Sequence, residues 1–148
     1  MRLLIQRVSR AAVRVEGREV GTIGAGLMVL VGVGHDDTPE IARQMAARAV
    51  ELRIFRDEAG KTNRALADVG GAVLAVSQFT LFADTARGRR PSFLGAAPPE
   101  LGERLYEVFA AAVEERGFTV ARGVFGAEME VELVNDGPFT IWLDSANR

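Results

Sequence analysis

The run Leu27–Val33, Leu-Met-Val-Leu-Val-Gly-Val, is almost unbroken apolar sequence, with Gly24-Ala25-Gly26 before it and Gly34 after it. A strand with one wet face alternates apolar and polar residues, so a run without alternation predicts a strand covered on both faces. Any fold of this chain must therefore place apolar layers on two sides of one strand. With 148 residues the chain has enough material to do so as one domain spanning 1–148.

The remaining elements are read around that strand. Arg2–Val8 is a weakly alternating strand, and Ala11–Val15 and Glu19–Ile23 flank Glu16-Gly17-Arg18 as a hairpin. Thr38-Pro39-Glu40 has the form of a helix start: a capping hydroxyl, a proline at the first helical position and an acid in the first turn. Ile41, Met45, Ala49 and Leu52 then lay one apolar stripe on the sheet. Ile54-Phe55 is a short strand, and Ala72–Leu81 is a strand interrupted by Ser77-Gln78 and Thr80. A long loop, Asp84–Pro99, carries Arg87-Gly88-Arg89-Arg90. Glu100–Arg116 is the second helix, striped by Leu101, Leu105, Val108, Phe109, Ala112 and Val113 and stopped at Gly117. Val120–Phe125, Met129–Val134 and Phe139–Leu143 complete the chain, the last two joined by a turn at Asn135-Asp136-Gly137-Pro138. This pattern predicts an α+β fold: curved, mainly antiparallel sheets forming a partial barrel, with two principal helices.

Composition narrows the chemistry. There is no cysteine, which excludes disulfides, thiolate metal sites and a cysteine nucleophile. No residue spacing marks a metal site, and no cofactor is expected. Gly32-Val33-Gly34 lacks the third glycine of a dinucleotide loop, and Gly60-Lys61-Thr62 lacks the glycine of a phosphate loop five positions earlier. A net charge of −2 argues against nonspecific coating of nucleic acid, DNA included. The start Met1–Arg7 has no leader-like apolar run and no stretch is long enough for a membrane helix, so a cytoplasmic protein without membrane association is expected.

His35 is the only histidine, and a Ser-His-Asp arrangement would have to use it. Nothing near it in sequence has the form of a nucleophile, so a loop histidine with a structural hydrogen bond is the plainer reading. Ser77-Gln78-Phe79-Thr80-Leu81 places hydroxyls and an amide where a buried strand ends. Main-chain N–H groups left unpaired at such an exit can converge on a developing negative charge. Asn135–Thr140 alone reads as an ordinary Gly-Pro turn. Three functional readings stay open at this point: an esterase based on His35, a noncatalytic RNA-binding module using the arginine loop, and a hydrolase built on main-chain amides.

Taken together, Ser77-Gln78-Phe79-Thr80-Leu81 and Asn135-Asp136-Gly137-Pro138-Phe139-Thr140 resemble the motifs of the D-aminoacyl-tRNA deacylase family. Ile5-Gln6-Arg7-Val8, Arg53-Ile54-Phe55 with Gly60-Lys61 and Asn63, and Gly88 with Arg90-Pro91-Ser92-Phe93 extend the resemblance over essentially the whole chain. The resemblance implies hydrolysis of the ester joining a D-amino acid, or mischarged glycine, to the tRNA 3′ end. It implies a homodimer with active sites at the subunit interface, where a cis Gly137-Pro138 of one subunit enters the other's pocket and rejects L-amino acids. The catalytic stretch it implies is Ser77, Gln78, Phe79 and Thr80, with Arg7 supporting the selector and Met129 lining the pocket for the terminal adenosine. Whether Arg87, Arg89 and Arg90 touch tRNA is left open by the resemblance.

The residue inventory also shapes a mechanism. Ser77–Leu81 contains no carboxylate or histidine, and nothing adjacent would activate Thr80 as a nucleophile. Attack by water assisted by the substrate's ribose 2′-hydroxyl is therefore expected, with N–H groups around Gln78 and Phe79 as oxyanion donors.

Overall fold

The computed structural model of the protein describes residues 1–147. In chain order the elements are β1 (Arg2–Val15), β2 (Arg18–Ile23), β3 (Gly26–Gly32), α1 (Pro39–Val50), β4 (Phe55–Arg56), β5 (Thr62–Arg64), β6 (Ala72–Ser77), α2 (Pro99–Glu115), β7 (Val120–Arg122) and β8 (Glu130–Asp144). The main sheet has the order β2-β1-β3-β6-β7, with β8 on the other side of β1.

Strand β3 is the apolar run, and both faces are buried as its composition requires. Leu27, Val29 and Val31 join a core with Met45, Ala49, Leu105 and Phe109 of the two helices. Met28 points the other way, among Val8, Val13, Ile23, Leu74 and Val76 inside the curve of the sheet. Pairing of β3 with β6 and of β6 with β7 is parallel, a feature that local periodicity did not disclose. Parallel neighbours need crossovers that cover a face, and α2 covers the one between β6 and β7. The sheet curls until β2 backs onto β7: a Cβ at Gly21 would lie 2.7 Å from the Arg122 carbonyl oxygen, so glycine permits this near-closure.

Three boundaries differ from expectation. Arg2–Val8 and Ala11–Val15 are one strand, because β1 changes partner on one edge from β3 to β2 while β8 follows its other edge throughout. The expected strands Met129–Val134 and Phe139–Leu143 are likewise one strand, β8, which begins at Glu130 and leaves Met129 just outside it. Arg2–Gln6 pairs with Asp144–Thr140 and Val8–Arg14 with Asn135–Glu130 in one antiparallel direction, so the chain does not reverse at Gly137-Pro138. It makes an excursion opposite Arg7. Glycine and proline mark a bulge and a hairpin alike, and only the pairing tells them apart. Finally, β6 stops at Ser77 and Phe79–Phe82 forms a 3-10 turn, while β7 stops at Arg122.

The helices follow their caps. Thr38 Oγ1 accepts the Ile41 N–H at 3.3 Å, and Pro39 opens α1. Its buried face, Ala42, Met45, Ala46, Ala49 and Val50, is turned slightly from the expected stripe, leaving Ile41 and Leu52 half-buried. No helix among the described residues is long and apolar enough to cross a membrane.

In α2, the buried Tyr106 hydroxyl donates to the Ala75 carbonyl at 2.8 Å, fastening the helix to β6. Burial pushes that hydroxyl up to about 12 from an ordinary value of 10.0. A raised folded value keeps its stabilisation intact below pH 10 and loses it as pH climbs through about 12. Tyr106→Phe is expected to lower stability by about 1 kcal/mol, a modest cost because the Gly123 N–H still bonds Ala75 at 3.0 Å. Urea titrations from pH 9 to pH 12 should show a steeper alkaline fall in the parent than in the variant.

Candidate active site

The Ser77–Thr80 stretch leaves the sheet beside β3. The Gln78 N–H donates to the Val31 carbonyl at 2.8 Å, continuing the parallel pairing one residue beyond Ser77. That bond removes Gln78 from the expected pair of oxyanion donors. The next two N–H groups, of Phe79 and Thr80, open the 3-10 turn and have no acceptor among the described residues. This is the usual condition of a helix's first amides. Gln78 Nε2 donates to Thr80 Oγ1, so the hydroxyl is held by an amide, and no base adjoins it.

A cavity of about 580 Å³ opens at this point. Ser77, Gln78, Phe79 and Met129 all contribute to its wall, with Val31, Val76, Phe93, Ala97 and Phe125 among its apolar lining. None of its lining residues is ionisable. Phe79 stands 58 % exposed at the mouth and meets Phe93 edge-on with ring centres 5.1 Å apart. Met129 reaches the wall because Gly123 leaves room for its sulfur, which would lie 2.7 Å from a Cβ there. Phe125 and Val31 carried no site signal in sequence, since apolar residues in a cavity wall look like core, and Phe93 entered only as the end of a supporting stretch.

The second motif is built around Arg7, the one charged residue buried as a whole among the described residues. Its Nε donates to the Asp136 carbonyl at 2.9 Å and lies 3.0 Å from the Asp136 carboxylate; Nη2 donates to the Gly137 carbonyl at 3.3 Å and Nη1 to the Ile54 carbonyl at 2.5 Å. The guanidinium carbon sits 4.5 Å from the centre of the Phe139 ring. Asn135 closes the excursion from the other side, its Nδ2 donating to the Arg7 carbonyl at 2.9 Å and the Phe139 carbonyl at 3.0 Å. No role for this amide was readable in sequence, where Asn-Asp-Gly-Pro reads as turn chemistry. The Gly137–Pro138 peptide is cis, and Pro138 is exposed.

The two motifs do not meet within one chain. Arg7 pairs with Leu27 at one end of β3 and Leu3 with Val31 at the other, about 13 Å along the strand. Gly137, Pro138 and Arg7 are absent from the cavity wall. His35 is also outside it, exposed, with Nε2 2.7 Å from the Leu94 carbonyl. Two of the supporting stretches come together, Arg7 on the Ile54 carbonyl and Arg53 Nε donating to the Asn63 carbonyl at 2.8 Å.

Residues 4–144 match the family model described as D-Tyr-tRNA(Tyr) deacylase. The chain belongs to the D-Tyr-tRNA(Tyr) deacylase family. Among relatives named D-aminoacyl-tRNA deacylase, that of Paracoccus denitrificans is 60 % identical over 148 residues, covering 100 % of this chain and 99 % of its own length. That of Deinococcus radiodurans is 56 % identical over 144 residues, covering 97 % and 99 %. A solved structure described as c-Myc DNA Unwinding Element Binding Protein superposes with a TM-score of 0.91 at 38 % identity, over 97 % of this chain and 98 % of that one. Another, of a probable eukaryotic D-amino acid tRNA deacylase, has a TM-score of 0.80 at 21 % identity over 96 % and 97 %, a likeness of fold.

Removing Arg7 from this deacylase-family chain strands the Ile54 carbonyl and unties the excursion. Arg7→Ala is expected to cost about 3 kcal/mol, from unsatisfied buried acceptors and lost stem packing. Arg7→Lys, with one point charge in place of a planar fork, should recover only part of it. Chemical denaturation of the three proteins measures both differences.

Proposed function

We propose that residues 1–148 act as one D-aminoacyl-tRNA deacylase domain, hydrolysing the ester of a D-amino acid, and of mischarged glycine, at the 3′ end of cytoplasmic tRNA. The class of enzyme follows from family membership: an ester hydrolase. One observation carries the finer reading: the wall holding Ser77, Gln78 and Phe79 is about 580 Å³ of cavity without an ionisable side chain. A pocket so lined supplies amides and apolar contact, so the attacking water must be activated by something the substrate brings.

The ribose 2′-hydroxyl beside the scissile ester is that group. The Phe79 and Thr80 N–H groups are the free donors for the oxyanion, each able to contribute about 3–4 kcal/mol when aimed at the developing charge. Thr80 holds Gln78 and is not the nucleophile. Met129 flanks the adenosine.

Chirality is read by main chain. A pocket that accepts many D side chains cannot recognise the side chain, so it must exclude bulk on the other side of Cα. Gly137-Pro138 does this from a second subunit, which accounts for an exposed Pro138 held by a buried arginine about 13 Å along the sheet from its own chain's cavity. Exposed Phe79, Val134 and Trp142 are apolar surface suited to burial in such a homodimer. Glycine has no side chain on either face and passes the same filter.

Incubation of the purified protein with D-Tyr-tRNA and L-Tyr-tRNA tests the reading: only the D ester should disappear. Binding of both without turnover would favour an RNA-binding module instead. Within that assay, Thr80→Ala should keep most of its rate while a tRNA ending in 2′-deoxyadenosine is cleaved at least tenfold more slowly; equal rates on ribo and deoxy ends would rule out substrate assistance. A Cβ at Gly137 meets only Asn135 Oδ1, at 3.3 Å, so Gly137→Ala should fold normally. That variant is expected to lose chiral selection or activity, and parent-like D over L discrimination would contradict the selector role.

A further inference from the structure

We infer that the loop carrying Arg87, Arg89 and Arg90 is a phosphate-binding arm that grips the RNA backbone just outside the cavity. The inference rests on the deacylase reading and assigns a surface that reading leaves unspecified. The loop is a closed excursion: the Asp84 N–H donates to the Ser92 carbonyl at 2.7 Å and the Ser92 N–H returns to the Asp84 carbonyl at 2.9 Å. Asp84 Oδ1 accepts the Ala86 N–H at 2.9 Å, so the acid is used to shape the loop. Between Thr85 and Pro91 there are three arginines and no acidic residue.

Clustering sets these arginines apart: Arg18, Arg56 and Arg104 are also exposed without an ion pair among the described residues but are scattered along the chain, whereas Arg87, Arg89 and Arg90 fall within four positions. Arg2, Arg7, Arg10, Arg14, Arg64, Arg116 and Arg122 each lie within 3.4 Å of a carboxylate oxygen. Arg87, Arg89 and Arg90 are exposed and have no ion pair or side-chain hydrogen bond among the described residues. Three adjacent unneutralised guanidiniums on a chain of net charge −2 repel one another and call for an external anion.

Position selects the anion. Both stalks of the loop are cavity wall: Phe79 precedes it, Phe93 follows it, and the two rings touch. The tip lies three to four residues beyond the Asp84–Ser92 bridge, a reach of about 10–14 Å at most. Arg87, Arg89 and Arg90 are not part of the cavity wall, so they stand outside it, placed for the polyanion leaving it. A nucleic-acid 3′ end seated in the cavity must carry its phosphates out past this rim, where guanidiniums bind phosphate oxygens in a forked geometry.

Each phosphate contact contributes about 0.7 to 0.9 to the slope of log affinity against log salt. Three contacts therefore make the ratio of parent to Arg87→Ala/Arg89→Ala/Arg90→Ala kcat/KM on D-Tyr-tRNA narrow about 20- to 40-fold between 50 and 200 mM salt. KM should rise with kcat unchanged, and the triple Arg→Lys variant should restore most of the salt slope. On the D-tyrosyl ester of adenosine, which has no phosphate, parent and triple alanine variant should be equal. Equal salt slopes in two active enzymes would overturn the arm while leaving the deacylase reading standing. So would an equal loss on the adenosine ester, or a changed sedimenting mass showing that the arginines pair with carboxylates of a second copy. Failure of the parent itself to cleave D-Tyr-tRNA would remove both. Should the triple variant melt early, the three single alanine variants each lose about 0.7 to 0.9 of slope, and unchanged slopes in them overturn the arm equally.

Discussion

A guanidinium cannot be buried without acceptors, and in this protein that requirement organises the surroundings of β1. Arg7 sits where β8 leaves the ladder, and its donors take the place of the missing strand pairing. They hold the carbonyls of Asp136 and Gly137 on one side and of Ile54 on the other. Its planar fork can satisfy three main-chain oxygens at fixed angles, which a lysine cannot. Because β1 also pairs with β2, β3 and β8, the same strand that anchors the excursion sets the frame of the whole sheet. The buried charge and the curved sheet are thus one construction.

The second constraint is the double burial of β3. Its odd and even residues feed two separate cores, one under the helices and one inside the curl. A central strand so enclosed is rigid, and β6 pairs with it in parallel as far as Ser77, two residues before the 3-10 turn. The bond from Gln78 N–H to Val31 extends that rigidity one residue further, so the free amides of Phe79 and Thr80 begin at a fixed point. The sheet and the 3-10 turn are therefore separated by one residue, Gln78.

Much of this was readable from residues alone, and the losses have physical causes. Double burial of Leu27–Val33, the Thr38-Pro39 helix start and the span of α2 follow from local periodicity and capping, which act over a few residues. The two motifs were recognised for the same reason, since each is contiguous. Pairing partners were not readable. Segments on either side of Gly137-Pro138 looked like two strands and a turn, whereas both lie on β1 in one direction. The parallel arrangement of β3, β6 and β7 was equally hidden, because the partner of a strand is chosen by residues far away in the chain. The expected Gln78 donor was lost to a strand neighbour for that reason too.

The sequence by itself determined which segments are apolar on which period, where helices begin, that no cysteine chemistry is available, and which family the chain resembles. These depend on side-chain type and on spacing of a few residues. Only the tertiary structure decided that Gly137-Pro138 interrupts one continuous strand, that Arg7 and Asn135 clamp it, and that the excursion lies away from its own chain's cavity. It alone showed which arginines carry a carboxylate partner and that the three clustered on the loop do not. Those outcomes depend on through-space distances between residues up to 130 positions apart, such as Arg7 and Gly137, and no local pattern encodes them.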